Sequence, residues 1–190
     1  MRQDERHGSK QTLHAYLRAQ RDAVLWKLDG VPERDQRMPM TTSGTNLLGL
    51  VKHLAGLERE YFGACLGRAT PTTLPDEPNA DMWATAAETP AMIVAAYRCA
   101  ADDADAAIAE LPLDTPATVP WWDPPDTTLH RLLVHMLAET ARHAGHMDIL
   151  RETIDGERGL LAEIPNLPQE PETWWQAHVA RLRETAERYR

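Results

Sequence analysis

Cysteine is scarce in this 190-residue chain: Cys65 and Cys99 stand far apart, with no CxxC spacing. That excludes a disulfide framework, a zinc ribbon and an iron–sulfur motif. It leaves the expectation of two reduced thiols in a cytoplasmic protein. Phenylalanine occurs once and aromatics make up 6% of the chain, although six of them are tryptophan. Runs of β-branched residues are short and alanine is abundant, so helix is favoured over strand. Basic residues are also outnumbered, 20 Lys and Arg against 29 Asp and Glu, for a formal charge of −9. No Lys/Arg run offsets that balance, and the C-terminal "ARLRETAERYR" mixes both signs. A polyanion would be repelled, which argues against nucleic acid as a partner. No apolar run approaches the ~20 residues a membrane span requires. The opening "MRQDERHGSK" is polar and lacks the apolar core of a secretory leader. Internal repeats and low-complexity segments are absent too.

What is present is ordinary for a soluble globular protein: 43% hydrophobic and 26% charged residues. The length suits one domain over residues 1–190, with residues 1–9 as a flexible tail. A first helix fits Lys10 to Asp29, capped by Ser9 and stopped by Gly30 and Pro32. A second runs from about Gly44 to Leu66, with Thr42 or Ser43 as cap and Leu47, Leu50, Leu54, Leu57 and Tyr61 as its apolar stripe. Residues 67–89, rich in Pro and Thr, form a long crossover in which "NADMWATAAE" adds a short helix. Thr89-Pro90 starts the third helix, which ends near Glu110. A proline-broken loop carries Trp121-Trp122. Thr127 or Thr128 then caps a fourth helix that reaches Asp155 and stops at Gly156. A last helix begins near Thr173. No clear strand is read anywhere. The fold class is all-α, a helical bundle whose long connections cover one end. Trp121-Trp122 and Trp174-Trp175 are expected to form part of that cover.

The chemistry gathers on the fourth helix, in "ETARHAGHMDILRETIDG". At 100° per residue, Leu132, Met136, Leu150 and Ile154 fall on one line, and Glu139 and His143 straddle it. His135 and His146 lie at one edge of the stripe, whereas His130 and Asp148 point away. A carboxylate and an imidazole on a core-facing surface must pair with each other or bind something. Residues at i and i+4 on one helix face are suited to hold a single metal ion, provided a third ligand arrives from elsewhere. His53, at the edge of the second-helix stripe, is the candidate. Gly49 and Gly56 on its other side are read as leaving room for an ion and a ligand. Neutral imidazoles with a carboxylate suit Zn²⁺, and also Ni²⁺ or Fe²⁺. The competing reading is a metal-free Glu139–His143 ion pair with His53 as a hydrogen-bonded core residue. His7, His14, His130 and His178 read as surface or capping residues.

"SGTNLLGLVKHLAGLEREYFG" and "LHRLLVHMLAETARHAGHMDILRETIDG" closely resemble the DinB-like (YfiT-like metalloenzyme) superfamily, above all its actinobacterial branch. Together they cover about a quarter of the chain. The resemblance implies an up-down-down-up four-helix bundle with a long crossover after the second helix and, here, an extra C-terminal helix. It implies one divalent metal held by His53, Glu139 and His143. This is the Glu/His version found in the branch that includes mycothiol-dependent maleylpyruvate isomerase. His146 and His135 become supporting candidates around the ligands, and homodimers are common among such proteins.

The leading functional expectation is a metal-dependent S-transferase or isomerase. It would use mycothiol, bacillithiol or another low-molecular-weight thiol on a small electrophile. Arg142 and Arg151 are weak candidates for contacts to the thiol's carboxylate. The alternatives are a metal-dependent hydrolase using the same ligands and a non-catalytic, metal-binding or stress-response dimer.

Overall fold

Leu17 and Val24 carry the buried edge of the first helix, α1 (Ser9–Trp26), Leu28 continues it just past the helix end, and Arg21 lies on that same line. The computed structural model describes residues 8–69 and 77–189. After α1 come a short α2 (Glu33–Arg37), α3 (Leu47–Phe62), α4 (Pro90–Glu110), α5 (Leu129–Asp155) and α6 (Glu172–Glu187). The sequence reading places the main helices correctly and misses two small features. One is α2. The other is a two-stranded hairpin, β1 (Pro116–Thr118) and β2 (Asp126–Thr128), paired antiparallel with Pro116 opposite Thr128.

Two apolar clusters fix the bundle's topology. One joins Val24 of α1 and Leu28 just beyond it, Leu47 to Ala55 of α3, Ile93 and Tyr97 of α4, and Met147 and Leu150 of α5. The other joins Leu17, Tyr61, Phe62, Ala104, Ile108 and the first turns of α5. The end of α1 therefore packs beside the start of α3, the start of α4 and the end of α5. This is the up-down-down-up order of an all-α DinB-like bundle. The clusters part at mid-height, at a waist where Arg21, Glu58 and Thr140 are buried.

On one side of that waist, Arg21 grips Glu58 through two bonds of 2.7 Å and Asp105 through one of 2.5 Å. His14, expected at the surface, donates from Nε2 to the same Asp105 at 2.7 Å. Burial alone would raise the Asp105 pKa, but the bonds from His14 and Arg21 win and hold it below its ordinary 3.8. A depressed carboxylate contributes stability above its unfolded pKa, and that contribution is lost as pH falls through the folded value. Asp105→Asn is therefore expected to lower Tm at pH 6 while flattening the loss of Tm between pH 4 and pH 3. Melting curves at those values check this.

Helix ends differ from expectation where backbone does the capping. The turn at Thr41–Thr45, closed by Thr45 N–H on Thr41 Oγ1 at 3.0 Å, delays α3, and Asn46 becomes its cap by accepting from Gly49 N–H at 2.7 Å. Thr128 precedes α5 but makes no side-chain cap. The carbonyls of Thr115 and Leu113 instead accept from Leu129 and His130 at 3.0 and 2.9 Å.

Gly49 does not leave open room. A Cβ there would lie 1.8 Å from the Met82 carbonyl oxygen and 2.5 Å from its carbon. The glycine lets the 3₁₀ turn Ala80–Met82 seat directly on α3, where Asn46 Nδ2 holds the Met82 carbonyl at 3.2 Å. Lys52 and Arg37 secure the continuation by bonding the carbonyls of Trp83, Ala84, Thr85 and Glu88. Alanine is favoured over glycine within a helix by about 1 kcal/mol. Gly49→Ala is nevertheless expected to lower Tm, because the turn must lift off. A Tm at or above wild type would contradict this packing.

Candidate metal centre

On the other side of the waist stand His53 of α3 and Glu139 and His143 of α5. They lie where α5 passes from Met136 of one apolar cluster to Ala144 of the other. The His53 and His143 rings meet edge to face with centroids 5.1 Å apart. His143 Nε2 lies 3.6 Å from Glu139 Oε2. The three sequence candidates are thus gathered from two helices.

Asp81 is the residue that sequence reasoning missed. Its Oδ2 sits 2.6 Å from His53 Nδ1, which donates to the carboxylate, so Nε2 is the ring nitrogen left to face an ion. The docking of residues 80–82 on Gly49 delivers this carboxylate. Nothing in "NADMW" signals a partner for an imidazole one helix away.

Burial pushes His143 down to about 4, and the neighbouring His53 ring adds to the effect against the pull of Glu139. His143 is therefore neutral at physiological pH, the form that ligates metals. His146 is exposed and touches His143 only through Nδ1 to Nδ1 at 3.4 Å and an edge contact at 5.4 Å. His135 sits one turn before Glu139, among aromatic rings.

Arg142 is exposed. Arg151 is 6% exposed and ties α5 to α1: its Nε bonds Asp155, and its NH1 bonds the carbonyls of Trp26, Lys27 and Asp29. The structure gives it the work of closing the α1 C-terminus, and nothing places it beside the histidines. Asp148, which the helical wheel turns outward, pairs with the buried Lys27 at 2.5 Å. His130 is exposed, and His178 stacks on Trp174 at 5.0 Å. His7 lies outside the described residues.

The donors fit a divalent ion by type. Two ligands each ~2.1 Å from a tetrahedral ion stand about 3.4 Å apart. The 3.6 Å between His143 and Glu139 is close to that and too long for a hydrogen bond. Asp81 supplies the outer carboxylate that commonly fixes a ligating histidine. Among the described residues, however, no group of three or more His, Cys, Asp or Glu side chains is arranged so that it could hold a metal ion as it stands.

The bundle order and this waist define the class: a DinB-like helical protein. A conserved protein from Enterococcus faecalis of known crystal structure is similar, with a TM-score of 0.62, 15% identity, and coverage of 80% of this chain and 99% of its own. At that identity the likeness concerns the fold. Residues 12–156 match the model of the mycothiol S-transferase family, and the chain belongs to that family. Among proteins of curated function, none matches it. No described helix is long and apolar enough to cross a membrane.

Proposed function

We propose that this protein is a divalent-metal-dependent mycothiol S-transferase acting on a small electrophile. His53, Glu139 and His143 would hold the ion, with Zn²⁺ suited to the set and Ni²⁺ or Fe²⁺ compatible. The observation that carries this reading is the pairing of a neutral His143, 3.6 Å from Glu139, with a His53 whose Nδ1 is occupied by Asp81. A bound divalent ion supplies positive charge that lowers a thiol's pKa.

The protein's own residues perform the rest. Asp81 orients His53 and fixes its tautomer. Desolvation keeps His143 unprotonated. Glu139 contributes negative charge and is only partly shielded from solvent. In the reaction, the cosubstrate's sulfur–carbon bond forms as the electrophile's carbon–leaving-group bond breaks. The leaving group departs with the electron pair, and the thiol proton passes to solvent.

The test is conjugation of monochlorobimane with mycothiol, and with bacillithiol for comparison. The expected result is turnover that disappears on chelation and returns when metal is restored. Absence of metal-dependent conjugation with either thiol would overturn the proposal.

A further inference from the structure

We propose that the groove between the β1–β2 loop and the first turns of α5 is the seat of the electrophile, and that it selects a planar, conjugated molecule carrying an oxygen acceptor. Calling the ligand an electrophile rests on the S-transferase reading; the existence of the binding site does not.

The groove has a volume of about 580 Å³ and is lined by Trp121, Trp122, Arg131, Val134 and His135 among others. That size lies within the range of small-molecule sites. Its apolar walls face water: Trp121 is 51% exposed and Val134 45% exposed. The two tryptophans are held in place from beneath. Trp121 Nε1 donates to Tyr61 Oη at 3.4 Å, and its ring meets the Tyr61 ring edge on at 5.8 Å. Trp122 packs against Tyr61 at 5.8 Å and against His135 at 4.9 Å, while Arg131 lies 4.6 Å over its face. Tyr61 is 4% exposed and anchored in the core, so the tryptophan walls are braced. Rigid aromatic surface of this kind gains stacking contact at little cost in conformational entropy.

His135 supplies the polar handle. It lies between Tyr61 and Trp122, and burial lowers its pKa, so it is neutral. Among the described residues, no hydrogen bond reaches either of its ring nitrogens. A neutral imidazole has one N–H to donate, which matches the oxygen of a nitro group or conjugated carbonyl on a leaving-group-bearing electrophile stacked on the tryptophans. The location connects this to the reaction: His135 and Glu139 are one helical turn apart on α5, a separation of about 6 Å. An electrophile resting on His135 thus lies about one helical turn from Glu139. Charge is less selective, because Asp123 and Arg131 both line the groove.

The test uses dinitroaniline, a planar nitroarene without a leaving group, in equilibrium dialysis against metal-free protein. Wild type is expected to bind it. Trp121→Ala and Val134→Asp, both at exposed positions that leave the core intact, are each expected to weaken binding by about ten-fold. His135→Phe, which keeps a ring and removes the N–H, is expected to weaken it several-fold. His53→Ala is expected to bind it as wild type does. No binding by wild type, or equal binding by the Trp121 and Val134 variants, would overturn the proposal. So would a dimer that Val134→Asp dissociates without any dinitroaniline binding, since the groove would then be an interface. If dinitroaniline binds as expected while chlorodinitrobenzene is not conjugated to mycothiol, the reaction fails and the groove stands.

Discussion

The His53→Ala variant is expected to lose thiol conjugation by on the order of 100-fold or more while melting close to wild type. Both halves follow from where His53 sits. Its ring is partly exposed and lies at the edge of the α3 stripe, so truncation opens no core cavity. Its Nε2 is the only donor that α3 brings to the site, and the α5 pair alone would hold an ion weakly. Asp81→Ala is expected to fall between the two, lowering metal affinity by about 10-fold to 100-fold with the ligands intact. Asp81→Glu should recover part of that loss, because the carboxylate is retained on a longer arm. Chelator competition measures the affinities, and melting curves separate a ligand effect from unfolding. A His53→Ala enzyme that conjugates at the wild-type rate would remove α3 from the chemistry.

Glu58→Gln is expected to destabilise the fold by about 3 kcal/mol, the largest stability effect of any single change considered. Glu58 is fully enclosed, and burial raises its pKa against the opposing pull of Arg21. Removing its charge leaves the Arg21 guanidinium, 5% exposed, with Asp105 as its remaining carboxylate among the described residues. The paired change Arg21→Met with Glu58→Leu is expected to cost less than Glu58→Gln alone, because no charge is then stranded in the core. Urea denaturation of the three proteins decides it. If the double variant is the least stable, the buried pair contributes net stability, and the desolvation argument is wrong for this bundle.

The contrast between these two sites explains how much of the molecule was legible in its sequence. Helix periodicity and the Thr89-Pro90 start marked the bundle, because those signals are local. Glu139 and His143 were legible for the same reason: four residues on one helix face fix their proximity whatever the fold. His53 required a second helix to be placed beside the first; its place at the edge of the second-helix stripe made it the candidate, and the family resemblance matched it. Asp81 was not legible, because its partner depends on a turn docking against a glycine, a contact with no periodic signature. Gly49 was noticed for its lack of bulk and read as empty, whereas backbone fills it. Arg21 is legible in retrospect only through its place on the Leu17–Val24–Leu28 line, where a guanidinium demands a buried partner. The hairpin stayed hidden because its strands are three residues long and flanked by prolines.

The central claim is that His53, Glu139 and His143 hold one divalent ion between α3 and α5. The most direct measurement is anomalous scattering at the zinc edge from crystals grown with the metal, with His53→Ala crystals as control. The account predicts a single peak between His53 Nε2, His143 Nε2 and the Glu139 carboxylate, absent from the variant. A zinc-soaked wild-type crystal with no peak there, or with a peak that survives loss of His53, would contradict it.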